Sequence, residues 1–208
     1  MNGFWRYIAG TVVRPVRTFR SLRDDPKRHT KGFRAVVLIG ILYACTAAGL
    51  AAAGALNVAP ALIPLSPDNY YFWEIFFALP VVLLGWIAAA VLAQILSRGK
   101  GSRGTFKSLL GTLGFALAVP QFLTWIAESA FAVLLLLGMR QAEFMELVDQ
   151  PGTLQTLFIG YHAVAAAWML GLVIAAVGIS RRLRWWLAGL IGVLTTAFFA
   201  AVIVIFVR

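Results

Sequence analysis

Residues 104–138 read GTFKSLLGTLGFALAVPQFLTWIAESAFAVLLLLG. The run is long enough to cross a bilayer, yet a proline, a glutamine and a carboxylate interrupt its apolar character. Gly111, Gly114, Ala118, Gln121, Trp125, Glu128 and Ala132 recur at helical spacing along one face. Leu113, Leu117, Ile126, Val133 and Leu137 occupy the opposite face. A helix turned toward lipid would not gather its small and ionisable residues on one stripe. This pattern predicts a helix buried among other helices, with the rest of the chain built around it.

The flanking sequence supplies those other helices. The chain is 61% hydrophobic and only 12% charged, too little polar surface to cover a water-soluble globule. Apolar runs of spanning length recur at about residues 33–56, 72–96, 109–138, 154–179 and 185–207. The expectation is an all-α, polytopic helical membrane protein with five transmembrane helices in one domain (33–208), preceded by a basic segment over residues 1–32. Small residues on the first span (Gly40, Ala44, Ala48, Gly49) permit close helix contact. Pro80 and Pro120 are places where the second and third spans could bend. Residues 57–71 form a proline-rich loop closed by Tyr70, Tyr71 and Trp73, an interfacial aromatic cluster.

Charge orients the spans. Of the eighteen Lys and Arg residues, sixteen fall in residues 1–34, 97–107 and 180–184; Arg140 and Arg208 are the exceptions. The positive-inside rule then places the N-terminus in the cytoplasm and the C-terminus outside. Five spans satisfy that parity. The net charge of +10 is thereby assigned to topology and to anionic headgroups, not to nucleic acid, for which no folded basic module is visible.

Within residues 1–32, Phe4, Ile8, Val12, Pro15, Phe19 and Leu22 follow helical spacing, while Arg6, Arg14, Arg17, Arg20 and Arg23 point elsewhere. That amphipathic pattern predicts two short helices lying in the membrane interface, the second opened by Pro15 and ended at Asp24, Asp25 and Pro26. No uninterrupted apolar core of a cleavable signal peptide occurs there. Cys45, the single cysteine, excludes an intramolecular disulfide. The loop SRGKGSRGTFK (97–107) has glycines and lysine in the wrong order and setting for a phosphate-binding P-loop. Glu143, Glu146 and Asp149 are spaced to hold a divalent cation, but are read as a solvated helix face.

Polar residues inside the spans are functional candidates because an unpaired charge in hydrocarbon is costly. Glu128 lies ten residues before Gly138, and His162 nine after Thr153. At ~1.5 Å per residue both sit about 14–15 Å from the same end on consecutive antiparallel helices. They are therefore candidates to face a common site, with Gln121 deeper and Glu74 nearer the surface. Two functions fit such a site: a structural hydrogen bond that fixes packing, or a small proton- or cation-coupled transporter or channel using Glu128 and His162. One histidine and one or two carboxylates leave a zinc site short of ligands. No catalytic pairing and no cofactor fingerprint is present.

The order of features carries a resemblance. A Pro-x-x-Thr-Phe segment (Pro15, Thr18, Phe19) precedes five spans. A Thr-Phe-Lys run ending at Lys107 leads to Gly-Phe-x4-Pro (Gly114, Phe115, Pro120), and Trp168 and Leu172 mark the span before a short turn. In this the chain resembles the Yip family, the Ypt/Rab-interacting integral membrane proteins, in its bacterial branch. It lacks the Asp-Leu-Tyr-Gly-Pro stretch of eukaryotic members, so a Rab-linked traffic role is not carried over. The resemblance implies a five-helix domain of the cytoplasmic (inner) membrane, no enzymatic activity, no cofactor, and association with itself or with other membrane proteins. The expected role is thus a non-enzymatic membrane scaffold or interaction protein.

Overall fold

A computed structural model describes residues 3–57, 65–99 and 101–207. Most of the proline-rich loop (58–64), Lys100 of the basic loop, and Arg208 lie outside the described residues. Two short helices, α1 (Gly3–Val13) and α2 (Pro15–Asp24), lead into α3 (Arg28–Ala52). After a 3-10 turn at Pro67–Asn69 come α4 (Tyr70–Ser97) and α5 (Phe106–Leu136). A short helix, α6 (Gln141–Asp149), precedes α7 (Thr153–Arg181) and α8 (Trp185–Phe206). No strand occurs among the described residues. Five of these helices, α3, α4, α5, α7 and α8, are long and apolar enough to cross a membrane. The chain is a polytopic all-α membrane protein.

The third span is the axis of the bundle, as its interrupted pattern predicts. From Ser108 to Pro120 every residue of α5 is buried except Leu110. Helices α3, α7, α4, α1 and α2 all contact it. Beyond Gln121 the burial becomes one-sided: Ala132 and Leu135 stay buried, while Ile126 and Val133 are half exposed and Leu137 is exposed. The two-faced expectation therefore holds for the C-terminal half only. In the N-terminal half Leu113 and Leu117, on the face opposite the seam, are as buried as the seam itself, and Leu117 borders a small cavity with Val82 and Trp86 of α4 and Phe199 of α8. Neither Pro80 nor Pro120 ends its helix; α4 and α5 run through both.

The glycine seam is where α5 meets α3, the most extensive helix pair. A Cβ on Gly32 would sit 2.6 Å from the Gly111 carbonyl oxygen, and one on Gly114 2.7 Å from that of Gly32. Backbone touches backbone there, and only glycine permits it. Further along, Ala132 lies near Gly49. The seam is one continuous contact line from the basic end of the bundle to the other.

Residues 3–24 do form two helices with Pro15 in the first turn of the second. Their apolar stripe is spent on protein: Phe19 and Leu22 are fully buried, and Phe4 and Tyr7 rest on the Phe115 ring at 5.9 Å. Burying Phe19 and Leu22 stabilises this docking by about 1.5–3 kcal/mol each. The stripe is incomplete, since Val12 stays half exposed. Arg6, Arg14, Arg17 and Arg20 remain exposed on the outer side, while Arg23 is partly buried and pairs with Asp24 at 3.0 Å. The amphipathic segment thus caps the basic end of the bundle.

A hinge at Asp25 fixes the turn into α3. Its carboxylate accepts the Lys27 amide at 2.8 Å and the Tyr7 hydroxyl at 3.0 Å, and it forms an ion pair with Lys31. Partial burial pushes the carboxyl pKa up, but the hydrogen bonds from Lys31, the Lys27 amide and Tyr7 outweigh it, so the net shift is downward. At the opposite end α6 folds back, with Phe144 4.4 Å from Phe131, and the Gln141 side-chain amide clasps both backbone groups of Leu56 at 2.7 and 2.8 Å. Tyr70 donates to the Phe206 carbonyl at 2.9 Å, joining the start of α4 to the end of α8.

Candidate functional site

The hydrogen-bonded polar cluster within the spans draws on three helices, α3, α5 and α7. In α5, Gln121, Thr124 and Trp125 stand at i, i+3 and i+4, so all three share a face. That face meets α3. The Tyr43 hydroxyl lies 2.8 Å from Gln121 Oε1, to which it donates, and 2.7 Å from the Thr124 hydroxyl. Thr124 also donates to the Gln121 carbonyl at 3.0 Å and Oε1 at 3.2 Å. One turn further along α5, Trp125 Nε1 donates to Thr46 Oγ1 at 3.0 Å and to the Leu42 carbonyl at 3.2 Å. From α7, the Tyr161 hydroxyl reaches the Leu123 carbonyl at 2.5 Å.

Pro120 supplies no amide hydrogen, so the α5 ladder loses its bond to the Ala116 carbonyl, one turn earlier. The carbonyls of Gln121 and Leu123, beyond the proline, take side-chain donors from Thr124 of the same helix and from Tyr161 of α7. The polar cluster and the proline occupy one stretch of α5, where the helix passes from fully buried to half-buried.

The four sequence candidates divide. Gln121 is the hub of the cluster. Glu128 is half-buried two turns further along α5 and, together with the buried Glu74 of α4, lies within electrostatic range of the Tyr43 and Tyr71 hydroxyls. His162 stands apart: its Nδ1 lies 2.8 Å from the Phe158 carbonyl of its own helix, and its ring packs on Phe158 at 4.4 Å. No ion pair joins Glu128 to His162 among the described residues. The matched depths place the two on adjacent helices, with no hydrogen bond or ion pair between them among the described residues.

Tyr43 is the residue that sequence reasoning passed over, although Gln121 and Thr124 both meet its hydroxyl. Its signal was available: a tyrosine in mid-span needs a partner for its hydroxyl. The acids of the short helix are used locally. Glu143 pairs with Arg140 at 2.6 Å, and the Arg140 hydrogen bond holds its carboxyl below the usual range. Glu146 accepts from Gln150 at 2.9 Å. Among the described residues no group of three His, Cys, Asp or Glu side chains could hold a metal ion.

Two of the three comparisons with known proteins are blank: no curated protein and no solved structure matches the chain. The third finds a family model, described as the Yip1 domain, matching residues 9–207. The match runs from α1 through α8 and takes in every residue of the polar cluster.

Proposed function

The chain belongs to the Yip1 domain family, and on that premise we propose that it acts as a non-enzymatic scaffold within the cytoplasmic membrane, associating with itself or with other membrane proteins. The observation that carries this is where the mid-membrane hydrogen bonds go. The bonds of Tyr43, Gln121, Thr124, Trp125, Thr46 and Tyr161 run between α3, α5 and α7 or to backbone carbonyls. Groups used in this way hold helices in register; a carrier keeps donors and acceptors for a solute and the water around it. Thr112 and Thr195, fully buried, likewise return their hydroxyls to their own helices at 3.0 and 2.7 Å. The basic end faces the cytoplasm in this reading, as its charge excess requires.

The test is purification of the full chain in native lipid, with mass spectrometry of what stays bound. A scaffold retains a stoichiometric protein partner or further copies of itself. Reconstituted vesicles supply the opposing outcome. A pH-gradient-driven proton or cation flux that Glu128→Gln abolishes, with the protein still folded, would replace the scaffold by a carrier.

A further inference from the structure

At the basic end, four arginines from four separate segments line one cleft of about 350 Å³: Arg23 of α2, Arg28 of α3, Arg103 before α5, and Arg182 after α7. Like charges are not gathered around a cavity without cost, so the arrangement needs an anion or a counter-charge. The lining holds one acid, Asp24, and Arg23 already engages it through two nitrogens at 3.0 and 3.2 Å. Arg28, Arg103 and Arg182 form no ion pair among the described residues.

Two further donors lack partners. Ser108 lines the cleft and is only 3% exposed, and its Oγ has no hydrogen-bond partner among the described residues. Its amide bonds the capping Thr105 hydroxyl at 3.2 Å, so the serine hydroxyl stands free beside the opening turn of a 31-residue helix. Arg28 Nε is buried and unpartnered too, while its Nη1 donates to the Asp25 carbonyl at 3.1 Å. A helix N-terminus, a free buried hydroxyl and three unpaired guanidinium groups are the donor set that phosphate oxygens require.

The walls are fixed before any ligand arrives. The buried Arg181 bonds Ser97 Oγ at 3.0 Å and also the Gly104 carbonyl, while the Arg103 amide donates to the Arg181 carbonyl at 3.3 Å. A Cβ on Gly104 would collide with the Ser180 carbonyl, so the loop before α5 lies directly against the end of α7. Arg182 then leaves the helix in the left-handed conformation, φ 55°, which turns the chain at the cleft.

We propose that this cleft is a binding site for a single phosphate group, carried by a lipid headgroup or by a soluble phosphate. The spans α4 and α7 end at Ser97 and Arg181, beside it, which sets the cleft at headgroup depth. The proposal requires only that the chain sits in a membrane, and stands whether or not the protein is a scaffold.

The full chain in phosphatidylcholine nanodiscs provides the test, with thermal unfolding and direct titration as readouts. One arm adds phosphatidic acid to the bilayer, and the other adds inorganic phosphate against chloride of equal ionic strength. Stabilisation in the first arm alone assigns the site to a headgroup; stabilisation in the second assigns it to a soluble phosphate. Arg103→Gln with Arg182→Gln, both exposed, should weaken binding about tenfold or more, as expected for hydrogen bonds to a charged group. Arg6→Gln with Arg20→Gln removes equal charge from the same end and should leave binding within about twofold, because exposed charges at a distance are screened. Ser108→Ala should also weaken binding while leaving the phosphate-free protein as stable as the parent. The proposal is overturned if neither probe binds better than chloride, if both arginine pairs weaken binding equally, or if Ser108→Ala binds like the parent.

Discussion

Substituting alanine at Gly111 and Gly114 tests whether the seam on α5 specifies the fold. The new Cβ would lie 2.7 Å from the Arg28 carbonyl oxygen at Gly111, and 2.7 Å from the Gly32 carbonyl oxygen at Gly114. A comfortable carbon–oxygen contact is about 3.3–3.6 Å, so α3 and α5 must separate by roughly 0.6 Å or more. The obstacle is backbone in both cases, and no flexible side chain can swing aside. Alanine gains about 1 kcal/mol of helix propensity over glycine. Overpacking costs about 1–3 kcal/mol, and a rigid obstacle favours the upper half of that range. Each single substitution should therefore destabilise by about 1–2 kcal/mol. Once the helices have parted for one methyl the second fits the same gap, so the double variant should cost little more than the worse single. Gly171→Ala and Gly189→Ala are the controls, since nothing lies within 4 Å of a Cβ at either site. Unfolding in mixed micelles with increasing denaturing detergent, followed by far-ultraviolet dichroism, measures all five proteins against the parent. If Gly111→Ala is as stable as Gly171→Ala, or if the two seam costs simply add, the close-contact argument is wrong.

The other consequences are more local. Tyr43→Phe removes the donor that joins α3 to Gln121 and should cost about 1–2 kcal/mol in the same assay; combined with Gln121→Leu it should cost less than the two singles together. The lowered carboxyl pKa of Asp25 supplies stability that is present above the unfolded value of about 3.9 and lost as pH falls through the folded one. Asp25→Asn should therefore flatten the acid limb of a stability–pH curve measured below about pH 4, and an unchanged limb would show that other carboxylates control it. A reporter inserted within residues 99–104 should be read as cytoplasmic and one inserted at Gly152 as external; the same side for both would remove α5 as a span.

Much of this fold was legible because lipid makes few demands and states them loudly. The five apolar runs predict the five long helices, with ends that move by a few residues: α3 starts at Arg28 and not Phe33, since polar residues can continue a helix beyond the hydrocarbon. The stripe from Gly111 to Ala132 identified a contact face without naming its partner. Gly32 and Tyr43 complete that contact, and neither stands out when α3 is read alone, because a glycine between Lys31 and Phe33 and a tyrosine near a helix centre have many uses. Helical periodicity reports which side of a helix is special; it does not report which neighbour arrives there.

The N-terminal segment shows the same limit in another form. An apolar stripe opposite five arginines is the pattern of a helix resting on lipid headgroups. A helix docked on a protein surface at the headgroup level needs the same stripe, so periodicity cannot separate them. What separates them is the N-terminal half of α5, where the Phe115 ring is fully buried. That ring calls for a cover, and Phe4 and Tyr7 of α1 provide it. The same docking carries Arg23 to the ends of α3, α5 and α7, where the basic cleft forms. Three sequence segments that each read as orienting charge become, once packed together, the lining of one cavity. Charge counting could give the side of the membrane, but not that convergence, because the residues that create it are the buried Phe19 and Leu22 on the opposite face of α2.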